Sequence, residues 1–112
     1  MAGGVAARGA WDRYQPLPVV ARSLEDLRGR TEGAVTLPLH IQWSGRRTYD
    51  LATTSDVVWM YSRVIREACS EGDLRAYLSG EHLVALWPQL TLPARHVRAW
   101  EGAFDRLRGL EG

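Results

Sequence analysis

Lysine is missing altogether: every one of the 14 basic side chains is arginine. So complete a bias is explained most simply by a high-GC bacterial coding sequence, although arginine also grips carboxylate and phosphate bidentately, as lysine cannot. Against these stand 13 acidic residues, for a net charge of +1. A nucleic-acid partner is therefore not favoured, because phosphate-neutralising domains carry a clear excess of positive charge. Cysteine is nearly absent too. Cys69 is alone, which excludes an intrachain disulfide and points to a reducing compartment. No run approaches the roughly 18 apolar residues needed to span a bilayer, and Met1–Ala10 lacks the apolar core of a signal peptide. The expectation is a cytoplasmic chain with no membrane partner.

Catalytic groupings are lacking as well. There are no paired carboxylates, no serine or cysteine beside a base and no phosphate-cradling glycine loop, so the chain reads as not an enzyme and as needing no cofactor. Trp43-Ser44-Gly45 leads into a second strand instead of a helix, which excludes a nucleophile elbow. His40, His82, His96 and Cys69 do not fall at the short spacings of structural zinc sites, and no metal is expected.

What is present is aromatic weight and two clear periodicities. Five tryptophans in 112 residues predict an aromatic core. Leu37, Leu39, Ile41 and Trp43 alternate with Pro38, His40 and Gln42, the period-two pattern of a strand with one buried face. Ser44-Gly45 breaks the run, Arg46 and Arg47 follow at the tip, and Thr48–Leu51 resumes the alternation, which predicts a β-hairpin. Upstream, residues 1–10 read as a disordered tail and residues 11–112 as one domain with an extended, aromatic and proline-bearing arm at its start. Ser23 caps one or two helical turns that Gly29 stops.

From Thr53 the period becomes helical. Thr54 or Ser55 caps, and Val57, Met60, Tyr61, Val64, Ile65 and Ala68 form one apolar face, with an end expected near Glu71-Gly72. Asp73 caps a short helix closed by Gly80. Glu81–Trp87 forms another, stopped by Pro88, and a last helix starts near Pro93 with Val97, Trp100, Phe104 and Leu107 on one face. The fold class is α+β: a small antiparallel β-hairpin followed by about four helices.

Two features could meet a partner. Leu74–Trp87 has the outline of a helix-turn-helix, but its second helix offers Glu81 and His82 and no basic residue. The candidate partner-binding residues are Arg46 and Arg47 at the hairpin, Arg95 and Arg98 on the last helix, and Trp11 and Tyr14 in the arm. Arginine and large aromatics are favoured interface anchors. An acidic protein surface suits the near-neutral charge better than DNA does.

The stretch Leu37–Gly45 with Tyr49-Asp50-Leu51, the helix bearing Tyr61 and Val64–Glu67, and Leu86–Pro93 with Arg98-Ala99-Trp100 resemble a group of short actinobacterial accessory proteins. These are encoded beside nucleotidyltransferase-like toxins of the abortive-infection type, and the resemblance covers roughly Leu24 to Leu107. It implies a non-enzymatic protein-interaction module, an antitoxin-like accessory protein whose partner is the neighbouring toxin-like protein. The alternative is a DNA-binding transcriptional regulator. The chain departs from many toxin-neutralising regulators in having no recognisable winged helix-turn-helix.

Overall fold

The structure, a computed structural model, describes residues 17–109. The expected tail, together with Trp11 and Tyr14 of the arm, lies outside the described residues. Ala34–Thr36 (β1) and Thr48–Asp50 (β2) form a two-stranded antiparallel sheet in which Val35 faces Tyr49. Four helices follow: Thr54–Glu67 (α1), Glu71–Tyr77 (α2), Gly80–Leu86 (α3) and Ala94–Ala103 (α4). Short 3₁₀ turns occur at Leu24–Asp26, Trp87–Gln89 and Asp105–Arg108. The α+β class is as the sequence implies.

The paired strands differ from those expected. Leu37 and Ile41 are fully buried, but Leu39 and Trp43 are 63% and 58% exposed. The cause is a turn. The N–H groups of Ile41 and Gln42 both donate to the Pro38 carbonyl at 3.0 Å, so residues 38–41 coil and bring positions 37 and 41, four apart, to one side. A helix-like turn mimics strand alternation at two positions and breaks it at the other two. Arg46 and Arg47 consequently sit on the return leg of a long 37–47 loop and not at a tight tip. Two strands of three residues each would not be stable alone; the sheet holds because Tyr49, Leu51, Leu37 and Ile41 join the same buried cluster as α1.

The apolar face of α1 is as its period predicts, with Val57, Met60, Tyr61, Val64 and Ile65 buried and Ala68 packed against them. The helix stops earlier than Glu71-Gly72. The Ser70 hydroxyl accepts the Asp73 N–H at 3.4 Å, and the Asp73 carboxylate accepts the Cys69 N–H at 2.9 Å. This reciprocal cap starts α2 at Glu71 and places Gly72 inside it. Ser70, not Asp73, is the N-cap. Gly80 opens α3 where a helix end was expected. Upstream, the Ser23 hydroxyl does cap the 3₁₀ turn at Leu24–Asp26.

The reason for glycine at position 80 is backbone contact. Gly29 N–H donates to the Leu78 carbonyl at 2.8 Å, and Gly80 N–H to the Leu27 carbonyl at 2.9 Å. Between them the Ser79 N–H is satisfied by the Tyr61 hydroxyl, 2.8 Å away on α1. A Cβ on Gly80 would stand 2.3 Å from the Leu24 carbonyl oxygen, and one on Gly29 would stand 2.8 Å from the Leu78 backbone. Two chain segments far apart in sequence thus meet main chain to main chain, with no room for a side chain.

The core is aromatic at one end. Trp100 is fully buried between Trp87, ring centres 6.2 Å apart, and Phe104, at 5.8 Å. Ile41 and Trp100 share the α1 cluster as expected. Trp43, expected there too, lies on the surface because its loop has left strand geometry. The last helix ends at Ala103, and Leu107 is buried from the 3₁₀ turn that follows.

Two outcomes are expected. Gly80→Ala should lower stability by about 1–3 kcal/mol through overpacking, despite alanine's helix preference of about 1 kcal/mol over glycine; a rise in melting temperature would show that residues 24 and 80 do not touch. Trp100→Ala should cost about 3–5 kcal/mol, whereas Arg47→Ala should change stability by no more than about 0.5 kcal/mol. Denaturant titration of the two variants side by side checks both values.

Candidate functional site

Of the sequence-predicted basic residues, Arg46 is committed to the fold. Its guanidinium pairs with the Asp56 carboxylate, its Nε donates to the Thr48 carbonyl at 2.9 Å, and it lies 5.1 Å from the Tyr49 ring centre. Asp56, buried in the first turn of α1, also accepts the Asp50 N–H at 2.9 Å. That backbone hydrogen bond, aided by Arg46 and opposed by burial, holds the Asp56 pKa below its ordinary value. Arg46 therefore ties the loop's return leg to the start of α1. The Arg47 side chain reaches back to the Leu37 carbonyl at 3.5 Å.

A second arginine group was not foreseen. Arg63 on α1 donates through Nε to the Ile41 carbonyl at 2.9 Å, and its guanidinium carbon lies 4.3 Å from the centre of the Trp43 ring. Trp59, one turn earlier on α1, is 66% exposed. Arg63 follows Trp59 by one helical turn, while Ser62 between them is buried and accepts the Thr91 N–H at 3.0 Å. Two exposed tryptophans are thus disposed about Arg63, one in contact with its guanidinium and one a helical turn away on α1. The signal was available in the sequence: the stripe through Val57, Met60, Tyr61, Val64 and Ile65 leaves position 59 on the opposite side of the helix. Trp43 could not be read the same way, since its exposure depends on the turn at Pro38.

Arg66 follows Arg63 by three residues along α1. It lines a cavity of about 500 Å³ together with Cys69, Arg95 and His96, walled by Leu17 and Pro93 among others. His96 is 3% exposed, and its Nδ1 and the Nε of Arg66 are both buried with no hydrogen-bond partner among the described residues. Burial first, then the positive charges of Arg95 and Arg66, depresses the His96 pKa. The predicted residue Arg95 is thereby brought to Arg66 and His96, while Arg98 faces solvent on α4. Cys69, by default a buried or half-buried residue, is exposed at the end of the α1–α2 connection. His40, expected on the polar face of a strand, is hydrogen-bonded from the 38–41 turn to Asp73, 3.0 Å away.

The helix-turn-helix outline is realised as α2 and α3 joined through Leu78 and Ser79. That junction is covered by residues 27–29, and α3 carries no arginine. Among the described residues no cluster of three metal-ligating side chains is present, and no helix is long and apolar enough to cross a membrane.

The depressed His96 pKa has a consequence for stability. In the unfolded chain His96 takes up its proton near its ordinary pKa of 6.5, so below that value the unfolded state binds more protons than the folded one. The contribution of neutral His96 is complete above pH 6.5 and is lost as the pH falls beneath it. On moving from pH 7.5 to 5.5 the wild type should lose more melting temperature than His96→Gln does; equal losses would show that His96 titrates as freely folded as unfolded.

Comparison with known proteins leaves the geometry to speak alone: no family model, no curated protein and no solved structure matches this chain.

Proposed function

We propose that the chain is a non-catalytic protein-interaction module whose docking face is built from Trp43, Arg63 and Trp59. The observation that carries this reading is the exposure of two tryptophans, 58% and 66%, with the Arg63 guanidinium against one of them and one helical turn from the other. Tryptophan and arginine are the residue types that most often anchor protein interfaces, because they combine large apolar area with directional polar contacts. A single exposed tryptophan is unremarkable, but two of them, with a cation against one and a helical turn from the other, supply the makings of a patch. The Arg63 guanidinium beside the rings favours a partner whose surface is acidic around an apolar centre. In the gene neighbourhood implied by the sequence resemblance, that partner is the adjacent toxin-like protein, and the role is antitoxin-like. Arg46 takes no direct part, because its charge is already matched by Asp56.

The DNA-binding alternative draws less support. Its would-be recognition helix, α3, presents Glu81 and His82 and carries no arginine to meet phosphate.

Co-expression with the neighbouring gene product should yield a complex that co-purifies. Trp59→Ala should weaken it by about thirtyfold, equivalent to about 2 kcal/mol, with an unchanged melting temperature. Separate elution of the two proteins, with toxicity unaffected, overturns the partner assignment. A complex indifferent to both Trp43→Ala and Trp59→Ala overturns the face. A sequence-specific, salt-sensitive gel shift on the chain's own promoter region would instead establish the regulator reading.

A further inference from the structure

We infer that the cavity between the end of α1 and the start of α4 is a binding site for a small oxyanion on a short apolar body, such as a monocarboxylate, held by Arg66 and His96. The site shares none of the residues Trp43, Arg63 and Trp59 and does not depend on the reading proposed for them. Its volume, about 500 Å³, lies in the range of small-molecule sites. Its chemistry is lopsided. Two guanidinium groups, of Arg66 and Arg95, and the His96 ring line it, against one carboxylate, Glu67.

Two polar atoms in this region find no partner among the described residues. The Arg66 Nε and the His96 Nδ1 are shielded from water and unpartnered among the described residues. A donor left in that condition is unfavourable, and native proteins keep few of them without a reason. Arg66 presents a fixed N–H, and His96 presents one at Nδ1 in the appropriate tautomer or when protonated. A ligand oxygen reaching either would satisfy it and would be met by positive charge. Leu17, Pro18, Val19, Ala68 and Pro93 supply the remaining wall, and it is this apolar lining that favours a carbon-bearing anion over a fully hydrated one such as phosphate.

Binding should also draw a proton onto His96. In the free protein the ring is kept neutral by its burial and by Arg95 and Arg66, with Glu67 and Cys69 the other ionisable groups on the cavity wall. A bound anion offsets the two guanidinium charges, so affinity should rise as the pH falls from 8 to 6.

The test is a titration of the full-length, ¹⁵N-labelled protein with butyrate, inorganic phosphate and chloride, following the His96 ring nitrogens by NMR. Butyrate should move the Nδ1 resonance saturably, toward the protonated position, and more tightly at pH 6 than at pH 8. Arg66→Gln should weaken that response at least tenfold, while Arg98→Gln on the solvent face of α4 leaves it unchanged. If Arg66→Gln does not fold, the wild-type titration alone decides. A His96 signal that does not respond to butyrate overturns the site. An equal response to chloride, or one equally reduced by Arg98→Gln, reduces it to non-specific charge screening and overturns it as well. Phosphate binding as tightly as butyrate overturns the assignment of an apolar body.

Discussion

The contact on which the structure depends most is the meeting of residues 27–29 with residues 78–80. Neither segment is long enough to be a strand, yet each supplies the other's backbone hydrogen bonds, and Tyr61 satisfies the N–H left between them. Buried main-chain groups need partners somewhere. By meeting this need across about fifty residues of sequence, the contact fixes where α2 ends and α3 begins, and it seats the N-terminal segment under both. Tyr61 joins the long helix to that junction. The burial that accompanies this pushes the Tyr61 pKa above its ordinary value, partly offset by the hydrogen bond from Ser79.

Charge is used in two distinct ways. Asp56 and Arg46 close the loop onto the start of α1, where a carboxylate is also favoured by the helix dipole. Arg63 does comparable work from the other side of the loop through the Ile41 carbonyl. Both arginines are anchored, but with different results for the surface. The Arg46 charge is neutralised by a carboxylate. The Arg63 bond to a carbonyl leaves the guanidinium cationic, and that charge is presented against the Trp43 ring, one helical turn from Trp59. The same residue type thus yields a structural tie in one place and an exposed cationic surface in another.

The tryptophans divide along similar lines. Trp87 and Trp100 supply apolar volume at the C-terminal end of the core, and Trp87 adds a hydrogen bond from its indole N–H to Glu101 at 2.8 Å. Trp43 and Trp59 supply the exposed face. Composition announced an aromatic-rich protein but could not apportion the rings, because a tryptophan's contribution to a core and to an interface rests on the same large apolar area.

The sequence by itself determined the α+β order, the buried stripe of α1, the cap at Ser23 and the burial of Trp100, since each follows from spacing along one element or from a side chain reaching its own near neighbours. Tertiary structure decided the rest. The turn at Pro38 converted an apparent strand into a loop and sent Trp43 outward. Backbone contact between distant segments turned Gly80 from an expected helix stop into the start of α3. The approach of α4 to the end of α1 placed Arg95, Arg66 and His96 around one cavity. Periodicity records which residues share a face of one element; it holds no information on which distant carbonyl, ring or charge will arrive opposite that face, and the candidate sites of this protein are made from those arrivals.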